Sequence, residues 1–190
     1  MLTRFSIPQA CPKCGLPVVM PSGPLNASVG VLGERPGDEE KARQLPFVGE
    51  SGRVLRAELA RLSLSLDVMR VSNLWLHEPN EQESDWHLRQ AITTLKKCRV
   101  VLLLGSECAE TFLNGKKVSN VTGLRLTSDL LPSVLLIPAL NPASLLKRGS
   151  VVGEFRLALE IFKREIDKDV HKQRSRVNRK RNPQRAKKIY

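Results

Sequence analysis

Four short aliphatic runs, Ser28 to Leu32, Val71 to Leu76, Val100 to Leu104 and Val134 to Ile137, most constrain what this chain can fold into. Each is too continuously apolar to alternate between a wet and a dry face, so each predicts a strand buried on both sides. Helical patterns lie between them. Val54, Leu55, Leu59 and Leu62 fall at helical spacing over residues 51 to 63, and Trp86, Leu88, Ile92 and Leu95 form a similar stripe over 84 to 97. A short helix is expected after Gly105, and a last one from about Val152 to Ile166 with Phe155, Leu159 and Phe162 facing inward. Strands alternating with helices predict a three-layer α/β/α domain around a central, mostly parallel four-stranded sheet. The Pro-containing segment through Pro24 is expected to wrap this sheet.

Charge divides the chain further. Of its 31 Lys and Arg residues, nine lie between Lys172 and Tyr190, where no acid occurs, and the formal net charge is +12. This predicts a domain over residues 1 to 171 and a basic tail over 172 to 190. Such a tail has too little apolar content to fold alone, so it reads as disordered and attracted to polyanions, with a merely solubilising role as the plain alternative. The apolar runs near 99 to 104 and 134 to 140 are far shorter than the roughly 20 residues of a membrane span. The chain therefore reads as a cytoplasmic, nucleoid-associated monomer without membrane contact. Four cysteines, two of them spaced as Cys11 and Cys14, suit a metal site or inert thiols better than a disulfide framework, and Cys98 and Cys108 read as small buried apolar residues.

In parallel sheets, ligands bind where loops leave the carboxyl ends of the strands. Four segments meet that rule: GERPGDEE at 33 to 40, Asn73 with the following LWLHEPN, LGSECAETFL at 104 to 113, and ALNPASLLKR at 139 to 148. Singly, each is ordinary turn material. A nucleotide-binding reading is weak, because GERPGDEE lacks both the Lys-Ser/Thr of a P-loop and a full GxGxxG.

In order and spacing, CPKCGLP, GERPGDEE with LPFVGESGRVL, VSNLWL, VVLLLGSECAETFL and LNPASLLKR together resemble the family 4 uracil-DNA glycosylases, over roughly residues 9 to 150. The most specific part is GE-x-PG followed some ten residues later by PFVG. The resemblance implies an enzyme that flips uracil out of DNA and hydrolyses its N-glycosidic bond, as in base excision repair. Its substrate-binding residues carry over to Gly33, Phe47 and Asn73. Phe47 would stack on the base, and the Asn73 amide offers the donor and acceptor that match the uracil edge. The catalytic residues carry over to Glu34, a carboxylate suited to steadying positive charge on the sugar or orienting water, and Asn141, an amide donor where the family has His. Arg35 stands where the family has a small residue, and the sequence leaves two outcomes open: a pair that mutes Glu34, or a phosphate contact. Ser144, Leu145, Lys147 and Arg148 resemble the loop that enters the minor groove, with Leu145 or Leu146 as wedge.

The family carries a 4Fe–4S cluster on four cysteines, of which only Cys11 and Cys14 are matched here. His77 occupies the third position and His87 lies near the fourth, a donor set that would also suit zinc. A metal on Cys11, Cys14, His77 and His87 and a degenerate site with a free CxxC both remain open. The departures at Arg35, Asn141 and the cluster also keep a second function in view: a catalytically weak or inactive DNA-binding protein that retains the glycosylase fold.

Overall fold

The computed structural model describes residues 7–78, 83–147 and 149–181. The four expected strands form at β1 (Val29–Gly33), β2 (Arg70–Asn73), β3 (Val100–Leu104) and β5 (Leu131–Ala139), and a short β4 (Leu126–Ser128) adds a fifth. The sheet runs β2-β1-β3-β5-β4; β1, β2, β3 and β5 are mutually parallel, and β4 pairs antiparallel to β5. Five strands therefore replace the expected four. The missed one is three residues, Leu-Thr-Ser, at an edge, where one apolar side chain suffices and no apolar run betrays it.

Helices cover both faces. α1 (Asp38–Arg43) and α2 (Glu50–Arg61) follow β1, α3 (Ser84–Leu95) follows β2, α4 (Ser106–Phe112) and α5 (Val118–Val121) follow β3, and α6 (Ala143–Lys147) and α7 (Val152–Arg181) follow β5. Successive side chains of β3 serve opposite cores, as the period of a strand requires. Val101 and Leu103 meet Leu95, Ala109 and Phe112 on one side, whereas Leu102 and Leu104 meet Leu55, Leu59, Phe155 and Phe162 on the other. The N-terminal segment straps the outer edge: Val19 donates to the Leu76 carbonyl, Ser22 bridges Val71, and the Arg70 guanidinium holds the Ser22 and Gly23 carbonyls at 3.2 and 3.0 Å.

The last helix runs to Arg181, past the expected Ile166 and through the first ten residues of the basic tail, where disorder was the expectation. The Phe155 to Phe162 face is anchored on the sheet, so the costly first turn of helix is already formed. Extension by Lys, Arg and Gln, all good helix formers, then adds one hydrogen bond per residue. Residues 182 to 190 lie outside the described residues. No described helix is long and apolar enough to cross a membrane.

Candidate active site

The chain passes from β1 outward to β2 and then back to β3 on the other side of β1, so the order of strands reverses between β1 and β3. Loops diverge there and leave a crevice at the carboxyl ends. Glu34 leaves β1 at this point and Gly105 leaves β3. One Glu34 carboxylate oxygen accepts from the Glu107 backbone N–H at 2.9 Å, and the other accepts from the Asn141 side-chain amide at 2.7 Å. Gly105 has φ +100°, and a side chain there would collide with the Glu34 carboxyl. Glycine is thus required both by backbone conformation and by the approach of the carboxylate.

Asn141 is committed at both ends, because its Oδ1 accepts from Ala143 N–H at 3.0 Å while its amide donates to Glu34. This geometry makes it an orienter of Glu34. Arg35 pairs with Glu107, whose second oxygen accepts from Trp75 Nε1. The cation beside the carboxylate therefore has its own partner.

Phe47 and Asn73 converge on Gly33. A Cβ at Gly33 would lie 2.5 Å from Asn73 Oδ1 and 2.6 Å from Phe47 Cζ, so the flat glycine backbone leaves room that any other residue would fill. Asn73 is buried, and among the described residues no side-chain hydrogen bond engages its amide. Phe47 is buried too and holds a left-handed backbone, φ 56°, which costs a non-glycine residue free energy and marks a position fixed by its surroundings. Two features fix it. Gly52 of α2 lets the helix approach the Phe47 carbonyl, where a Cβ would clash, and buried Glu40 accepts from Gly49 N–H at 2.7 Å and Gly37 N–H at 3.1 Å. Those glycines are the N-caps of α2 and α1, so a single carboxylate satisfies orphan donors at two helix starts. Sequence reasoning missed Glu40, Gly105 and Glu107. Only the Glu three residues after Gly37 carried a readable signal, the second half of a capping box.

On the far side of β5, Ser144 turns back on its own loop, its hydroxyl donating to the Asn141 carbonyl at 2.6 Å. Leu145 packs inward against the α2 and α7 core while Leu146, 46% exposed, stands out beside exposed Lys147. Of the two wedge candidates, Leu146 is therefore the one presented to solvent. Arg148 lies outside the described residues.

A second cluster forms where the N-terminal strap crosses the end of β2. Cys11, Cys14, His77 and Glu83 bring one donor atom each to within 4.8 Å of one another. Glu83 occupies the place expected for His87. The latter stands one layer back, its Nδ1 accepting from Leu76 N–H at 3.2 Å and its Nε2 lying 3.1 Å from His77 Nε2. Burial, with His77 beside it, pushes His87 down to about 4, so its ring is neutral. The other two thiols are remote and inert: burial pushes Cys98 up to about 11 and Cys108 well above the ordinary range. A 4Fe–4S cluster needs four protein ligands, classically thiolates, set apart at four iron corners. Two cysteine sulfurs, one imidazole and one carboxyl group gathered this closely do not fit it.

Fold and site together define a doubly wound α/β protein with an aromatic ring, a free amide and a held carboxylate at the strand-order reversal. The family model for the uracil DNA glycosylase superfamily matches residues 20–163, and the chain belongs to that superfamily. Two relatives are named type-4 uracil-DNA glycosylases. The one from Thermotoga maritima is 30% identical over 142 residues, covering 70% of this chain and 73% of the relative. The one from Pyrobaculum aerophilum is 29% identical over 171 residues, covering 80% and 87%.

Proposed function

We propose that this chain is a uracil-DNA glycosylase, hydrolysing the N-glycosidic bond of a uracil flipped out of DNA. The carrying observation is the convergence of Gly33, Phe47 and Asn73 beside the Glu34 carboxylate. A base entering over Gly33 would lie against the Phe47 ring with its edge toward the Asn73 amide. Cytosine reverses the donor and acceptor order at that edge and would leave the buried amide mispaired, at a cost of about 1–3 kcal/mol. Glu34, held by Asn141 and the Glu107 N–H, would face the sugar as positive charge develops, or orient the attacking water. Leu146, Lys147 and the loop through Ser144 would meet the groove and its phosphates. Cys11, Cys14, His77 and Glu83 serve no step of this chemistry; they tie the N-terminal segment to the end of β2.

The test is a labelled uracil-containing oligonucleotide treated with the protein and then with alkali. Strand cleavage by the wild-type chain, reduced roughly 100-fold or more in Glu34→Gln, supports the reading. Retention of the oligonucleotide without cleavage would instead select the DNA-binding protein that keeps only the fold.

A further inference from the structure

The sulfur, nitrogen and oxygen donors at the N-terminal strap have a proton arrangement that asks for a cation. His77 Nδ1 lies 2.7 Å from the Glu78 carbonyl, which can only accept, so Nδ1 carries the proton and Nε2 presents a lone pair to the cluster. Behind it, His87 Nδ1 accepts from Leu76 N–H, so the His87 proton sits on Nε2 and points at His77. Backbone groups thus hold both tautomers. Glu83 is 3% exposed, and its Oε2 is the one buried side-chain polar atom among the described residues without a hydrogen-bond partner. It lies 3.2 Å from His77 Nε2, with Cys14 Sγ 3.6 Å from the same nitrogen. A buried carboxylate oxygen left without a donor is costly unless a positive charge stands beside it.

We propose that Cys11, Cys14, His77 and Glu83 bind a single zinc ion in place of the family's iron–sulfur cluster. The dimensions agree. Ligands at about 2.0 to 2.3 Å from one tetrahedral ion stand roughly 3.3 to 3.8 Å from each other. Here Cys14 Sγ and Glu83 Oε2 lie 3.6 and 3.2 Å from His77 Nε2 and all four donors fall within 4.8 Å, whereas cubane ligands are spread farther. The CxxC turn is built for this: Cys11 N–H donates to the Leu16 carbonyl, Gly15 N–H donates to the Cys11 carbonyl, and Gly15 takes φ +74°. His87 then acts as a positioning residue. Once the His77 lone pair is on the ion, the His87 Nε2–H is left facing Glu83 Oε2, 3.8 Å away, as the outer partner of a ligating carboxylate.

The experiment is metal and sulfide analysis of full-length protein purified anaerobically, followed by replacement of the bound metal with Co²⁺. One zinc per chain, no acid-labile sulfide, and the intense visible bands of a tetrahedral thiolate–cobalt site are expected. Zinc affinity, measured by chelator competition, should fall roughly 10- to 100-fold in His87→Phe, and more in Glu83→Gln and Cys14→Ser. Iron with stoichiometric sulfide would overturn the proposal. So would folded wild-type protein that takes up no zinc, or a weakly coloured octahedral cobalt spectrum. An unchanged affinity in folded Glu83→Gln would remove Glu83 from the ligand set and overturn the four-donor site. The wild-type measurements stand even if a variant fails to fold, and none of them depends on excision activity.

Discussion

Asn73 ends β2 with its amide buried and turned toward Gly33 and Phe47, so at the residue scale the proposed base reading turns on this amide. Asn73→Asp keeps the shape and replaces the amide donor by a second acceptor. Uracil excision should fall at least about 100-fold, because a site built to hydrogen-bond its ligand rejects one that leaves its polar groups unpaired. Single-turnover excision from matched uracil and cytosine oligonucleotides checks this, and an unchanged uracil rate would take Asn73 out of the pocket. Gly33→Ala tests the same pocket by volume. Its methyl would press on Asn73 Oδ1 and Phe47 Cζ, which would have to move by about 1 Å to reach ordinary contact. Overpacking should cost about 1–3 kcal/mol of stability, read in a thermal melt. Excision should fall roughly 100-fold, since misplacing a reacting group by about 1 Å costs that much. A variant as active as wild type would show that the base does not enter over Gly33.

At the scale of elements, the segment from α1 to α2 is held from inside by the Glu40 carboxylate, which joins both helix starts and so fixes the turn that carries Phe47. Glu40→Gln replaces one accepting oxygen with a donor and sets it against a backbone N–H. The loss should be about 1–3 kcal/mol, and a domain of this size should melt roughly 2 to 12 °C lower. Because the displaced turn carries Phe47, KM for uracil DNA should rise more than kcat falls. Melting unchanged within a degree would mean that the turn is held by other contacts. The same element shows why Arg35 is a neighbour of the site and not its poison: α4 offers Glu107 as a partner, leaving the Glu34 oxygens to Asn141 and a backbone N–H.

For the whole molecule, the decisive asymmetry is charge. Residues 172 to 190 hold nine cations and no acid, and the chain is helical as far as Arg181. Cations presented without a base-reading pocket neutralise phosphates and add affinity, not selectivity. A chain ending at His171 should therefore bind duplex DNA more weakly at low salt. If about five of the lost cations engage phosphates, the slope of log affinity against log salt should fall in magnitude by roughly 4 to 5. Preference for uracil over thymine should not change. Paired salt titrations on matched oligonucleotides decide it: an unchanged slope would assign the tail a partner other than DNA, and a lost preference would place it against the pocket.

The sequence by itself determined four of the five strands and the two-faced burial of the sheet, and its family resemblance singled out Gly33, Phe47 and Asn73, which the structure brings together. Continuous apolar runs and a short motif with fixed spacing are local signals, and local signals survive without coordinates. It placed neither β4 nor the helical stretch from Lys172 to Arg181, because an edge strand and an extended helix draw on neighbours already in place rather than on their own residues. The fourth metal donor belongs to the same class. His87 was the better ligand by residue type and lies near the expected position. The start of α3, however, places Glu83 with the CxxC sulfurs and leaves His87 behind His77, hydrogen-bonded to the Leu76 backbone. Asn141 likewise reads as a donor to the substrate until β1 and β5 are laid on either side of β3, which brings its amide to the Glu34 carboxylate, 107 residues earlier in the chain. Contacts across such separations exist only once the strand order is set, and a one-dimensional pattern carries no record of which loop ends will meet.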